Sequence, residues 1–322
     1  MQTLQADLVV IGGGGAGLPA ALTVIEGGVK NVVILEKRRT LGGNASMAGG
    51  FIFAAESKHQ KKVNSVMDRD VVFKQIMAFN HFDRVKPRII RAFVDKSGDT
   101  VDWLEERGAA YRFGQVETMS VHILEGTSAP VGGFNRVIKL LGDRFSKAGG
   151  QTLLNTAAER IVCDGSGHIE KVIATDKDGN SIEIHTNCVF LSCGGFTGNT
   201  ELLREYFPDY YSDAYWTDAV PNMGEGIQLA SDVGAGLAKH CTLVKETAYS
   251  FETKKSMPNR AGMEPRSLWV NARGERFADE SIFIDDVTTN ALVMQPGMVG
   301  FALFDCNLID YMVKNPAIRA IG

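Results

Sequence analysis

Two short apolar runs frame the first forty residues. Leu8-Val9-Val10-Ile11 and Val32-Val33-Ile34-Leu35 contain no polar position, which predicts strands buried on both faces of a parallel sheet. Between them the apolar residues switch to helical spacing, with Leu18, Ala21, Leu22 and Ile25 on one face. Strand, helix and strand in that order predict a βαβ unit. The link from strand to helix is Gly12-Gly13-Gly14-Gly15-Ala16-Gly17, with glycines at the G-x-G-x-x-G positions. Gly12 permits the tight turn, Gly14 lets the backbone approach a pyrophosphate, and Gly17 lets the helix lie close on the strand. Gly15 and Ala16 open a helix whose first N–H groups and positive dipole end point at the phosphates. Pro19 falls in the first turn, where its missing donor is not needed. The second strand ends on Glu36, nineteen residues after Gly17, where an acid accepts hydrogen bonds from the adenosine ribose hydroxyls. An acid there fits an unphosphorylated ribose, so NAD or FAD rather than NADP.

Further on, the period alternates between helix and strand. From Ser65 to Gly108 the apolar positions (Val71, Val72, Ile76, Met77, Phe79, then Ile89, Ile90, Phe93, Val94, Val101, Trp103, Leu104) are helically spaced, closing on Glu105-Glu106-Arg107-Gly108. This predicts a helical insertion over about 55–115. His59 and His81 read as surface residues. Residues 118–133 read as a glycine-rich loop containing His122, a candidate site residue because a loop histidine has a tunable charge. A helix over Phe134 to Lys147 stops at Gly149-Gly150. Strands are expected at Thr152–Asn155, Glu159–Cys163, Ile169–Thr175 and Ser181–His185. The last two are joined at Asp178-Gly179, a hairpin signal. A helix follows from Ile227 to Val233, then a strand at Val299–Phe304 and a helix at Asn307–Val313.

Composition narrows the class without naming it. The 322 residues, 44% hydrophobic, suffice for one large or two ordinary domains. A net charge of −4 and no basic patch interleaved with aromatics argue against nucleic acid as a partner. No apolar run reaches membrane-spanning length, and the first strand follows Met1 too closely for a signal peptide. The cysteines Cys163, Cys188, Cys193, Cys241 and Cys306 show neither C-x-x-C nor metal-ligand spacing, so no metal is expected. They read as reduced thiols in a cytoplasmic protein.

The choice between NAD and FAD turns on a second small-residue loop after Glu36-Lys37: Leu41-Gly42-Gly43-Asn44-Ala45-Ser46-Met47-Ala48-Gly49-Gly50. A flavin nucleotide needs backbone donors along its ribityl chain and ring, whereas an NAD domain has no use for this loop. The stretch resembles the fumarate reductase/succinate dehydrogenase flavoprotein family, whose pattern is glutamate-lysine, a short gap, then G-G-N-[AS]-x-x-A-x-G-G. The resemblance implies FAD and two-electron chemistry. It implies a Rossmann-like FAD-binding domain of the two-dinucleotide-binding type over 1–235, with a β-meander, and a partial α+β capping domain over 236–322. Non-covalent attachment is expected because Asn44 to Gly50 contains no histidine. A small-molecule substrate is implied, with electrons from a donor protein or a reduced flavin.

Other segments carry the same likeness. Leu154-Asn155-Thr156-Ala157-Ala158-Glu159-Arg160-Ile161 resembles the family's L-N-T-x-x-x-x-[IL], which implies backbone contact to adenine at Ala157 and Ala158. Val189-Phe190-Leu191-Ser192-Cys193-Gly194-Gly195-Phe196 is similar to V-x-L-A-T-G-G-F and brings small residues beneath the cofactor; Ser192-Cys193 stand in place of Ala-Thr. Cys193 reads as structural, since a reactive thiol needs a polarising neighbour. Gly224-Glu225-Gly226 is similar to G-D-G, with Glu225 replacing an aspartate that contacts FAD in the family. Leu268 to Glu280 is similar to L-x-V-N-x-x-G-x-R-F-x-[ND]-E, which marks the cap.

The substrate half departs from the family. The proton-donating arginine implied four residues after Glu280 is Ile284, and the upstream E-x-x-R-G-x-G relay is missing from Arg260-Ala261-Gly262-Met263-Glu264-Pro265-Arg266. The substrate histidine implied a dozen residues past Gly234-Ala235 falls near Glu246, where there is none. Arg260 and Arg266 remain candidates for catalysis, with Asp285 and Asp286 as charged neighbours. The expectation is an oxidoreductase on an enoate or enone other than fumarate, or else a regulatory module without turnover. No counterpart of the family's return segment follows Glu280, so a C-terminally incomplete flavoenzyme is expected.

Overall fold

A computed structural model describes residues 2–80, 82, 85–116, 119–126, 133–209, 211, 222–238, 249–250, 255–256, 266–281 and 291–314. The strands are β1 (Gln2–Gln5), β2 (Leu8–Ile11), β3 (Val32–Glu36), β4 (Phe51–Ile52), β5 (Tyr111–Val116), β6 (Met119–Leu124), β7 (Gln151–Leu154), β8 (Thr156–Cys163), β9 (Ile169–Asp176), β10 (Ser181–His185), β11 (Val189–Leu191), β12 (Tyr249–Ser250), β13 (Lys255–Ser256), β14 (Leu268–Asn271) and β15 (Gly300–Leu303). The helices are α1 (Gly17–Glu26), α2 (Lys58–Lys62), α3 (Arg69–Phe79), α4 (Pro87–Glu106), α5 (Asn135–Lys147), α6 (Thr200–Tyr206), α7 (Glu225–Asp232) and α8 (Cys306–Lys314).

The centre is a four-stranded parallel sheet in the order β11-β2-β3-β7. Its period-2 pleat divides the two apolar runs between two cores. Leu8, Val10, Val32 and Ile34 pack against Leu18 and Leu22 of α1 and Val137, Ile138, Leu141 and Phe145 of α5. Val9, Ile11, Val33 and Leu35 point to the other face, against Ile161, Val172, Ile182 and Ile184. Those residues belong to the second sheet, β1-β10-β9-β8, in which β8, β9 and β10 form the expected meander. Burial on both faces is why β2 and β3 have no polar position.

Several expectations need correction. β1 pairs in parallel with β10 from Gln2↔Ile182 to Gln5↔His185, a strand that the sequence did not predict. Residues 119–124, expected in a loop, form β6 between β4 and β5. His122 is therefore a fully buried strand residue, not a loop histidine. The insertion over 55–115 is also not helical throughout, because it ends in β5. Elsewhere the expected elements stand within a few residues of the observed ones, as at α5 and β10.

The insertion is fixed by a buried polar network. Ser57 caps α2, accepting from the Gln60 N–H at 3.2 Å, while the Gln60 side chain accepts from the Ser57 N–H at 3.0 Å. The Ser57 Oγ lies 2.7 Å from His122 Nε2, and His122 Nδ1 lies 3.2 Å from the Ile52 carbonyl. A carbonyl only accepts, so Nδ1 carries the hydrogen and Nε2 accepts from Ser57. Burial pushes the His122 pKa down, which keeps the ring neutral. α4 rests on this turn with no side chain between: a Cβ on Gly98 would stand 2.3 Å from the Ala55 carbonyl oxygen. His59, expected at the surface, is half-buried on Glu105 at 2.8 Å. His81 lies outside the described residues.

Towards the C-terminus, β14 and β15 pair antiparallel, Leu268↔Leu303 to Asn271↔Gly300. Glu280 is buried beside β14, where it accepts from the Trp269 N–H at 2.7 Å and pairs with Arg276 at 2.5 Å. The guanidinium holds its carboxyl down to about 2. Among the described residues no helix is long and apolar enough to cross a membrane, and no group of histidine, cysteine and carboxylate side chains could hold a metal.

Candidate functional site: a nucleotide cleft at the ends of the parallel strands

The cavity opens where β2, β3 and β11 end, the place where a doubly wound sheet leaves a crevice for ligands. β2 leads into the turn at Gly12, whose φ of +101° a side chain would strain. The Gly12 N–H donates to the Leu35 carbonyl at 2.8 Å, and the Ser192 Oγ donates to the Gly12 carbonyl at 2.7 Å, so β3 and β11 grip the turn from both sides. Gly17 shows why the last glycine is needed. A Cβ there would stand 2.0 Å from the Gly12 carbonyl oxygen and 2.4 Å from Ser192 Oγ. The backbone N–H groups of Ala16 and Gly17 have no backbone acceptor among the described residues, leaving donors at the start of α1.

Glu36 closes β3 and is buried at 7% exposure. Its Oε2 accepts from the Gly13 N–H at 3.0 Å and its Oε1 from the Arg38 N–H at 2.9 Å. A carboxylate oxygen has a second lone pair, so both oxygens can still take a hydroxyl from the cavity they line. The second glycine loop lies against the first: the Gly42 N–H donates to the Gly13 carbonyl at 2.9 Å, and a Cβ on Gly15 would come within 2.8 Å of the Ala45 Cβ. Residues Gly43–Met47 then wind as a 3-10 turn.

Gly12, Gly14, Gly15, Ala16, Glu36, Lys37, Gly43, Asn44 and Ala45 line the cavity on one side. Ala157 and Ala158 of β8, Ser192, Cys193 and Gly194 after β11, and Glu225 at the start of α7 complete it. Gly17, Gly42, Ser46, Ala48, Gly49, Gly50 and Gly195 are not among its lining residues. Sequence reasoning did not single out Ile11, Leu35, Arg38, Thr156, Asn222 and Leu229, which do line it. Arg38 and Thr156 adjoin residues that were singled out, so position in the motif was the available signal. Asn222 faces Gly194, where a Cβ would stand 2.9 Å from its Oδ1, a contact between distant segments with no local signal.

Two charged features complete the site. Lys37 and Glu225 form an ion pair across 188 positions of sequence. Partial burial pushes the Glu225 carboxyl up, but the hydrogen bond and charge of Lys37 together with bonds from backbone amides outweigh it and leave the pKa below the ordinary value. Cys193 is half-buried with its Sγ 3.5 Å from the Ile11 carbonyl, and burial, then the Glu225 charge, push its thiol up. A thiol held protonated is a poor nucleophile, in line with the structural reading. Neither His122 nor Arg266 lines the cavity; Arg266 is exposed and stacks 3.7 Å over the Tyr311 ring. Arg260, Ile284, Asp285 and Asp286 lie outside the described residues.

The chemistry of the cavity suits FAD. It offers free amides at a helix start for a pyrophosphate, an acid with open lone pairs for a ribose, and glycine backbone along a second loop. Comparison with known proteins agrees. The FAD binding domain family matches residues 7–303. The NADH:fumarate oxidoreductase of Klebsiella pneumoniae (strain 342) is 30% identical over 311 residues, covering 93% of this chain and 32% of the relative. The vinyl phenol reductase of Lactiplantibacillus plantarum is 28% identical over 332 residues, covering 98% of this chain and 64% of the relative. The chain thus spans less than two thirds of either protein. The open conformation of a flavocytochrome c3 fumarate reductase superposes with a TM-score of 0.78 at 21% identity, over 99% of this chain and 56% of that structure. From its glycine turns, its acid-terminated strand and a family match over most of its length, the chain belongs to the FAD-dependent fumarate reductase/succinate dehydrogenase flavoprotein family.

Proposed function

We propose that this chain is the flavin-binding part of an oxidoreductase that reduces a conjugated carbon–carbon double bond, an enoate or enone, in a substrate other than fumarate. The observation that carries the cofactor half is Glu36, held by two backbone donors at the wall of a cavity bounded by two glycine loops. When bound, FAD supplies the two-electron chemistry. The chain's own residues bind and orient it. The amides at the start of α1 would hold its pyrophosphate, Glu36 its adenosine ribose, the backbone at Ala157 and Ala158 its adenine, and the cavity-lining residues Gly43 to Ala45 its ribityl end. Glu225 and the Ser192–Gly194 segment bound the remaining wall.

The substrate half rests on what relatives do and on one departure. Relatives are named for fumarate and for vinyl phenol, both alkenes conjugated to an electron-withdrawing or aromatic group. Where the resemblance implies a proton-donating arginine, this chain has Ile284, which holds neither a proton nor a substrate carboxylate. Loss of a general acid lowers turnover about 10²–10⁴-fold, so fumarate is disfavoured. The electron donor is a protein or a reduced flavin, and residues 236–322 belong to a cap over the substrate. The test is turnover with reduced viologen, by this chain joined to the return segment that the family resemblance implies, against fumarate, urocanate, 4-vinylphenol, an acrylate and an enone steroid. Preference for one of the last four supports the proposal. Rapid fumarate reduction would mean that Arg260 or Arg266 donates the proton, and no turnover with any of them would favour a regulatory role.

A further inference from the structure

The ion pair between Lys37 and Glu225 lies at the nucleotide cavity and joins two elements far apart in sequence. Lys37 follows the last residue of β3, and Glu225 opens α7. The two elements bound different parts of the cavity, and both side chains line it. At 37% and 39% exposure, the pair lies where the cavity meets solvent rather than within the core. Length matters here. Glutamate replaces the aspartate that the G-D-G resemblance implies, and the shorter side chain would stop about 1.5 Å back, one carbon–carbon bond. Gly224 sets the start of α7 with no side chain of its own, because a Cβ would come within 2.6 Å of Leu202 and 3.0 Å of Phe196. The helix start is thereby seated, and Glu225 projects from a fixed point.

We propose that Lys37 and Glu225 form a clasp across the mouth of the nucleotide cavity that slows release of the bound dinucleotide. The reading rests on FAD occupying this cavity. Lys37 adjoins Glu36, so the clasp closes at the adenosine end, beside the ribose partner rather than at a distant rim. Opening it separates two charges in a solvent-screened setting. That is worth little in binding free energy, but it must occur each time the nucleotide leaves through this mouth. Lys37 and Glu225 act here as positioning residues, through each other.

The test is the rate of FAD release from the flavin-loaded protein, followed by dilution into an excess of a flavin-capturing apoprotein. Glu225→Gln, Lys37→Gln and Glu225→Asp are each expected to speed release about two- to fivefold at low salt, the range for a partly exposed pair. The Asp variant keeps the charge and loses only the reach. The exchange Lys37→Glu with Glu225→Lys is expected to restore a slow rate, which loss of ordinary packing would not allow. High salt is expected to bring the unaltered protein towards the single variants while leaving those nearly unchanged. Release unchanged in the single variants, or an exchanged pair as fast as either single variant, would overturn the clasp. A protein that never takes up FAD would instead overturn the cofactor reading on which it rests.

Discussion

Replacing Glu36 by alanine separates two roles that the structure gives one carboxylate. Its oxygens accept the N–H groups of Gly13 and Arg38 at 3.0 and 2.9 Å, and the side chain is almost wholly buried. Gly13 is buried, so its donor would be left with no partner, a penalty of about 1–3 kcal/mol. Arg38 is only half-buried, and water can reach its amide, so its loss counts for less. The variant without flavin should therefore be less stable by about 2–3 kcal/mol, read from urea unfolding at unchanged m-value. In the flavin-bound state the ribose hydroxyls also lose their acceptor, and FAD affinity should fall by a further 1–3 kcal/mol, about five- to 150-fold. Glutamine separates the two effects. Its carbonyl can still serve one amide, but its NH₂ group would meet the other donor head-on, so Glu36→Gln should recover only part of the stability. The reasoning fails if Glu36→Ala unfolds at the same urea concentration as the parent and binds FAD equally well. A drop in affinity without loss of apoprotein stability would mean that the carboxylate serves the ribose and not the turn.

Gly17→Ala should remove about 3 kcal/mol or more and abolish FAD binding, since the added methyl meets backbone oxygen at 2.0 Å; a folded, flavin-binding variant would contradict the packing seen here. The buried His122 makes stability depend on pH. Its pKa is lower folded than unfolded, so the unfolded chain binds more protons, and its contribution is full above about pH 6.5 and lost as pH falls towards the folded pKa. Urea midpoints of His122→Gln should thus fall less than those of the parent between about pH 7 and about pH 5, and equal slopes would refute this. Acid precipitation of the flavin-loaded protein should leave all yellow colour in the supernatant, because no histidine stands between Asn44 and Gly50 to hold it covalently; colour in the pellet would refute that.

Much of the cofactor half was legible because its signals are local. An unbroken apolar run, a glycine turn and an acid at fixed spacing each report on a neighbour a few residues away, so β2, α1 and β3 were readable in position and purpose. β1 was not, since Gln2-Thr3-Leu4-Gln5 carries little apolar content and is held by pairing with β10, some 180 residues on. β6 was hidden by His122, a polar residue that strand reasoning would not bury, and only the Ser57 hydroxyl and the Ile52 carbonyl make its burial tolerable. The Lys37–Glu225 pair joins segments that have no relation in sequence. Glu225 was marked through the G-D-G resemblance, yet nothing in that motif names Lys37 as its partner.

The most direct test of the account is a titration of the flavin-free protein with FAD, alongside NAD and FMN. The account predicts one FAD per chain, with NAD and FMN each bound far more weakly, since one lacks the flavin that fills the second glycine loop and the other lacks the adenosine that Glu36 holds. Binding of FMN as tight as FAD would contradict the role of Glu36. A preference for NAD would contradict the assignment of the cavity.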